Sequence, residues 1–255
     1  MARRTGEDMM KLIATAIALA LAAPAAAQTV TPAIQQALAN PARPDADRAR
    51  DATRKAGELL AFAGIKPGDK VADFIMGGGY WTKLLAGLVG PEGRIYAYQP
   101  AEFIGFRAAY GTEQDAAVKD LANVTPLRPS LASFTFAEPL DAIVTVQNYH
   151  DLHLKIAPPG FAGVVAKKLY DSLKPGGVLL VVDHGANADP DFKAPDTLHR
   201  IDPAAARKEI EAAGFVFDGS LDILRRKDDP HTTNVFDPSI RGKTDQFVYK
   251  FRKPK

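Results

Sequence analysis

A short apolar run with an acid inside it, Val71-Ala72-Asp73-Phe74-Ile75, empties through Met76 into Gly77-Gly78-Gly79, and an apolar segment opening with Tyr80-Trp81-Thr82 follows. That order describes a strand, a tight turn and the start of a helix. In an open α/β sheet, small ligands dock at the carboxyl ends of strands, where glycines let the backbone approach them closely. A dinucleotide fingerprint needs a further glycine at the position of Thr82. The spacing therefore speaks against a nicotinamide dinucleotide and for a nucleoside held another way.

The rest of the chain repeats the unit. Lys70–Ile75, Arg94–Tyr98, Val124–Leu127, Leu140–Val146 and Val178–Asp183 read as strands. Helices are expected over Thr82–Leu88, Gln114–Ala122, Phe161–Leu173 and Pro203–Ala213. Lys174-Pro175-Gly176-Gly177 reads as a turn, and Phe215–Leu224 contains another strand. Gln246–Arg252 alternates, with Phe247, Tyr249 and Phe251 on one face and Val248, Lys250 and Arg252 on the other. That is the pattern of a half-exposed, antiparallel closing strand. Near-continuous apolar strands alternating with helices give a parallel sheet covered on both sides, a single doubly wound domain over residues 45–255. Ahead of it, a charged helix is expected from Pro44-Asp45 to about Phe62. Residues 28–44, rich in Ala and Pro, read as a flexible lead-in with a short helix near Ile34–Leu38.

With 255 residues, 46% of them hydrophobic, the chain can bury one sizeable core. Its 32 basic and 30 acidic residues are well mixed, so nothing calls for nucleic acid or an anionic membrane surface. The absence of cysteine excludes a thiolate nucleophile, a zinc–thiolate site and lipid attachment through sulfur. At the N-terminus, Lys11, the apolar run Leu12 to Ala23 and the end Ala25-Ala26-Ala27 describe a secretory signal peptide over residues 1–27, with Met10 a better start than Met1. The run is too short to span a membrane comfortably. The expected product is periplasmic or secreted, and free of the membrane once cleaved.

The ordered set of motifs carries more than any one of them. The Asp73 strand and its glycine turn are followed by Gly93-Arg94-Ile95-Tyr96-Ala97-Tyr98-Gln99, then by Leu140-Asp141-Ala142-Ile143-Val144-Thr145-Val146. Next comes Leu173-Lys174-Pro175-Gly176-Gly177 before an apolar strand, then an Ala-Ala-Gly-Phe helix end and a final hairpin. The chain from residue 45 onward resembles the class I S-adenosylmethionine-dependent methyltransferases. More narrowly, Arg54-Lys55, Gly78-Gly79-Tyr80, Asn148-Tyr149-His150-Asp151 and Asp229-Pro230-His231 through Arg241-Gly242-Lys243 resemble a group of exported bacterial predicted methyltransferases. The resemblance implies a Rossmann-like seven-stranded mixed sheet with an antiparallel last strand. It also implies S-adenosylmethionine as cofactor and a small-molecule acceptor, which nothing in the chain identifies. Two residues depart from the family pattern. Ile75 stands where a glycine is usual, and Gln99 stands where an acid normally holds the ribose hydroxyls.

On this reading Asp73, Gly77, Gly78, Gly79, Tyr80, Gln99, Asn148 and Tyr149 contact or orient the cofactor, and Trp81 is a core aromatic. His150 serves as a general base, with Asp151 beside it, because an imidazole titrates near neutrality. No metal is assigned. Two alternatives stay open: a methyltransferase fold that binds without catalysing, favoured by Ile75 and Gln99, and a metal-dependent hydrolase-like activity at His150, His153, Asp183 and His184. The long polar segment Arg225–Lys243 is expected as a lid or rim over the pocket. His199-Arg200 either lines that rim or is solvated.

Overall fold

In the computed structural model, which describes residues 29–255, the β-branched and apolar runs become the strands of one sheet. They are β1 (Lys70–Phe74), β2 (Arg94–Tyr98), β3 (Val124–Leu127), β4 (Leu140–Val146), β5 (Leu173–His184), β6 (Val216–Leu221) and β7 (Gln246–Arg252). Their order is β3-β2-β1-β4-β5-β7-β6, with β1 to β5 parallel and β7 antiparallel to both its neighbours. The expected doubly wound, seven-stranded mixed sheet is therefore what forms. The strand order reverses between β1 and β4, which opens a crevice at their carboxyl ends. The signal peptide expected over residues 1–27 lies outside the described residues. No helix among the described residues is long and apolar enough to cross a membrane.

Strand residues alternate between two cores, as the pleat requires. Val71, Val144, Leu180 and Val182 face α1 (Pro32–Leu38), α4 (Ala56–Ala63) and α5 (Tyr80–Val89), meeting Ile34, Leu60 and Leu84. Phe74, Ile143, Leu179 and Phe247 face the opposite way. There they meet Val165 and Leu169 of α8 (Phe161–Ser172) and Ile210 of α10 (Pro203–Ala212). Each such fully buried aliphatic or aromatic side chain contributes about 1.5–3 kcal/mol, so these two layers fix the sheet and hence its ligand edge.

Five local expectations are corrected. The helix expected over Asp45 to Phe62 is three pieces, α2 (Asp45–Arg48), α3 (Asp51–Arg54) and α4, with Lys55 in the left-handed region at φ 53°. The break turns Asp51 toward Arg43 (2.6 and 2.8 Å) and the Tyr80 hydroxyl (2.6 Å), bonds that offset a left-handed residue costing about 1–2 kcal/mol. The segment read as a flexible lead-in is packed, with Ile34 and Ala37 of α1 buried in the α4–α5 core. The helix expected from Gln114 begins earlier, as α7 (Ala109–Val118), and an unforeseen α6 (Ala101–Phe106) precedes it. Lys174 to Gly177 is absorbed into β5 across a register shift opposite Leu140–Ala142. Finally, β7 is inserted between β5 and β6 rather than half exposed, and Lys250 is buried over the Phe62 ring.

Candidate functional site

The glycine loop leaves β1 through an unusual backbone. Ile75, Gly77 and Gly79 all have positive φ, at 63°, 54° and 79°. A β-branched residue in the left-handed region is strained, and Ile75 stays there because its surroundings over-determine it. Its side chain is buried, and its carbonyl accepts from Asn148 Nδ2 at 2.9 Å. The same amide donates to the Val146 carbonyl at 2.8 Å, so Asn148 ties the end of β4 to the end of β1. Gln99, at the end of β2, accepts the Gly77 N–H on Oε1 at 2.9 Å, while its buried Nε2 has no acceptor. An added Cβ would meet nothing within 4 Å at Gly77 or Gly78 but would lie 2.5 Å from Ala117 Cβ at Gly79. Gly77 and Gly78 are thus an open lip, and Gly79 is a packing glycine.

Three residues expected at the cofactor have other tasks. Asp73 is buried and accepts from Thr82 Oγ1 at 2.5 Å, so it anchors α5 rather than the glycine turn. Burial pushes its carboxyl up to about 6 against the lowering effect of Thr82. Tyr80 donates to Asp51 and carries the guanidiniums of Arg54, Arg50 and Arg43 within 4.6–5.6 Å of its ring centre. Tyr149 is fully buried on the other face of the sheet and donates to Glu209 at 2.7 Å.

Beyond β4, a turn of 3-10 helix (His150–His153) brings His150 to Asp183 at the end of β5. Asp183 accepts His150 Nδ1, the His150 backbone N–H and the His184 backbone N–H, all at 2.8 Å. The other ring nitrogen of His150 lies 3.4 Å from Asp151, which is 3.8 Å from His199 Nδ1. Burial opposes a charge on His150, yet Asp183, with help from Asp151, raises its pKa to about 9. Burial likewise raises Asp151 to about 6, although His150 pulls it down. His150 therefore faces a carboxylate on each nitrogen, which favours its charged form, and Asp151 stands beside it as the expected pair.

Of the residues of the metal alternative His150 and Asp183 pair, whereas His153 and His184 hold other partners. His153 pairs with Glu209 at 3.1 Å and stacks on Phe192, while His184 bonds Thr244. Burial lowers His184 to about 4, so it is a neutral ring. Among the described residues His150, Asp151 and His199 do place one ligand atom each within 4.8 Å of one another. They form a chain of close polar contacts that ends on Asp183. His199 is positioned by a left-handed backbone, φ 49°, and by the Phe236 ring 4.8 Å away.

A cavity of about 430 Å³ lies over the carboxyl ends of β4 and β5. Val146, Gln147, Val182 and His184 form its floor, Trp81 and Arg54 one wall, and Phe236 and Arg241 the other. The ends of β4 and β5 thus line this cavity. Gly77–Gly79 share the same sheet edge but do not line this cavity. The polar segment expected as a lid supplies the far wall, clamped by Arg200. That side chain is fully buried rather than solvated, bonding Asp229 through two nitrogens at 2.9 and 3.0 Å. Sequence reasoning missed Asp51, Arg50, Gln147 and Thr244. Arg54 had been marked through the resemblance, Arg225–Lys243 as an expected lid, His184 in the metal alternative and Trp81 as a core aromatic.

No protein-family model matches the chain. Solved structures do. It is similar to an S-adenosylmethionine-dependent methyltransferase from Aquifex aeolicus at 20% identity, over 86% of this chain and 96% of that one, with a TM-score of 0.53. Fibrillarin from Aeropyrum pernix, with natively bound S-adenosyl-L-methionine, matches at 16% identity over 79% and 76% of the two chains, TM-score 0.50. The cyclase SpnF matches at 15% identity over 80% and 81%, TM-score 0.55. One architecture thus hosts more than one reaction, and residues rather than topology must decide function. What the likeness and the strand order establish together is that the protein has the class I methyltransferase fold.

Proposed function

We propose that the protein is an exported S-adenosylmethionine-dependent methyltransferase acting on a small-molecule acceptor. The observation that carries the reading is the open lip at Gly77 and Gly78, placed at the switch point of the sheet beside the unpaired Nε2 of Gln99. A buried amide N–H without an acceptor costs about 1–3 kcal/mol, and a ribose hydroxyl oxygen is the kind of partner that removes the cost. The residues present therefore fit the cofactor, with a neutral amide where an acid is usual. Gly77 and Gly78 would take the backbone approach, and Gln99 the ribose.

When bound, S-adenosylmethionine supplies an electrophilic methyl group on a sulfonium. The chain's own part is to hold the acceptor in position and to receive its proton, because orientation supplies most of such a rate enhancement. We assign that proton to Asp151, which follows the end of β4 and stands just outside the lining of the cavity over β4 and β5. Its raised carboxyl and the His150 imidazolium, itself fixed by Asp183, favour this role. Export rests on Lys11, the apolar run after it and Ala25-Ala26-Ala27.

The second reading, a binding protein that has lost catalysis, is favoured by Ile75 and by the uncharged Gln99. Absence of nucleoside binding moves the assignment to the second reading, and turnover separates the two where the nucleoside binds. The test is a thermal-shift titration of the processed protein with S-adenosylhomocysteine. A ligand at 100 times its Kd stabilises the fold by about 2.7 kcal/mol, or roughly 5–10 °C here. Gln99→Ala is expected to weaken binding by about 1 kcal/mol. No shift at millimolar ligand sinks the methyltransferase reading.

A further inference from the structure

The cavity over β4 and β5 has a charge that methyl transfer itself does not require. Arg54, Arg226 and Arg241 converge on it with Arg50 at its mouth, and no carboxylate lines it. Several other guanidiniums among the described residues are matched, Arg43 to Asp51, Arg200 to Asp229 and Arg252 to Asp218. Among the described residues, Arg54, Arg226 and Arg241 form no ion pair, and Arg50 reaches Asp47 only at 4.0 Å. The nearby carboxylates are already engaged. Asp51 holds Arg43 and Tyr80, and Asp245 holds Arg225, His231 and the Arg226 backbone N–H.

Arg54 is the most telling of the set. It is half-buried, its guanidinium carbon lies 4.6 Å from the Tyr80 ring centre, and its side chain donates no hydrogen bond among the described residues. Burial, and then Arg50, disfavour its charge, while Tyr80 and Asp47 favour it. Planar guanidiniums present forks that match carboxylate and phosphate oxygens. Three such forks around an apolar floor of Val146 and Val182 describe recognition of an anion with a less polar body. A sulfonium is cationic and gains nothing from this surface, which assigns the cavity to the other substrate.

We propose that the cavity selects an anionic acceptor, a small molecule bearing a carboxylate or phosphate group gripped by Arg54, Arg226 and Arg241. This rests on the methyltransferase reading for the word acceptor, and on the arginines alone for the anion. The competing source of a carboxylate is the methionine end of the cofactor.

The experiment is calorimetry of the processed protein at low salt with citrate, inorganic phosphate and, separately, S-adenosylhomocysteine. Arg226 and Arg241 are exposed, so Arg226→Gln/Arg241→Gln keeps the fold. Lys119→Gln/Lys193→Gln removes the same charge from exposed sites outside the cavity. Saturable citrate or phosphate binding, weakened at least tenfold by the arginine pair and not by the lysine pair, with S-adenosylhomocysteine affinity unchanged, supports the proposal. Equal weakening of S-adenosylhomocysteine assigns the arginines to the cofactor and overturns it. Absence of anion binding, or equal loss in the lysine pair, overturns it too. Arginine-dependent anion binding without any S-adenosylhomocysteine binding sinks the methyltransferase reading while leaving the anion site in place.

Discussion

Removing the Asp229 carboxylate should destabilise the protein by several kcal/mol, because that group closes the far wall of the cavity. Arg200 is fully buried, bonds both Asp229 oxygens at 2.9 and 3.0 Å, and donates to the Thr233 and Gly185 carbonyls at 2.9 Å. Asp229 also accepts the backbone N–H groups of His231 and Asp245, at 3.0 and 2.6 Å. Asp229→Ala leaves a guanidinium and two N–H groups short of acceptors. Breaking a buried pair from one side costs about 3–5 kcal/mol. For a domain of this size each kcal/mol moves the melting temperature by about 2–4 °C, so a fall of roughly 6–20 °C is expected. Arg200→Met/Asp229→Ala, which removes both charges, should recover part of the loss. Urea unfolding followed by fluorescence of Trp81, the chain's single tryptophan, reads both variants. A loss below about 1 kcal/mol for Asp229→Ala, or a double variant worse than the two single losses combined, refutes the clamp.

Other outcomes follow from the same geometry. The folded pKa of His150, about 9, exceeds its ordinary 6.5, so its contribution to stability is complete below pH 6.5 and is lost as pH rises through 9. Urea midpoints across that window should fall in the wild type and stay flatter in His150→Gln. Asp73, raised from 3.8 to about 6, stabilises fully below pH 3.8 and loses that contribution as pH rises through about 6. Asp73→Asn should remove this dependence from denaturation curves. Gly79→Ala places a Cβ 2.5 Å from Ala117 at φ 79° and should cost upwards of about 1–2 kcal/mol. Gly78→Ala, with open space around it, should leave the midpoint unchanged.

The sheet was legible because its information is local. Val71 to Phe74, Leu140 to Val146 and Val178 to Asp183 carry apolar runs that can only be buried strands, and glycine turns separate them. The break at Lys55 was not legible, because propensity across Asp45 to Phe62 is helical throughout. It is decided by Asp51 meeting Arg43 and Tyr80, partners 8 and 29 residues away. The burial of Tyr149 escaped for a similar reason, since its partner Glu209 lies 60 residues on. The polar loop after β4 does lie at the carboxyl end of that strand, but the surroundings of His150 depend on Asp183, 33 residues further on. The arginines at the cavity mouth show no periodicity. Only the fold gathers Arg54, Arg226 and Arg241 around one cavity.

The central claim is that Gly77 and Gly78 form the edge against which a nucleoside cofactor lies. Isothermal titration of S-adenosylhomocysteine into the processed protein and into Gly78→Val tests it most directly, since a side chain at Gly78 meets no protein atom. The account predicts saturable one-to-one binding to the wild type, and its loss in Gly78→Val at an unchanged melting temperature. Equal affinity in both proteins, or no binding to either, would contradict it.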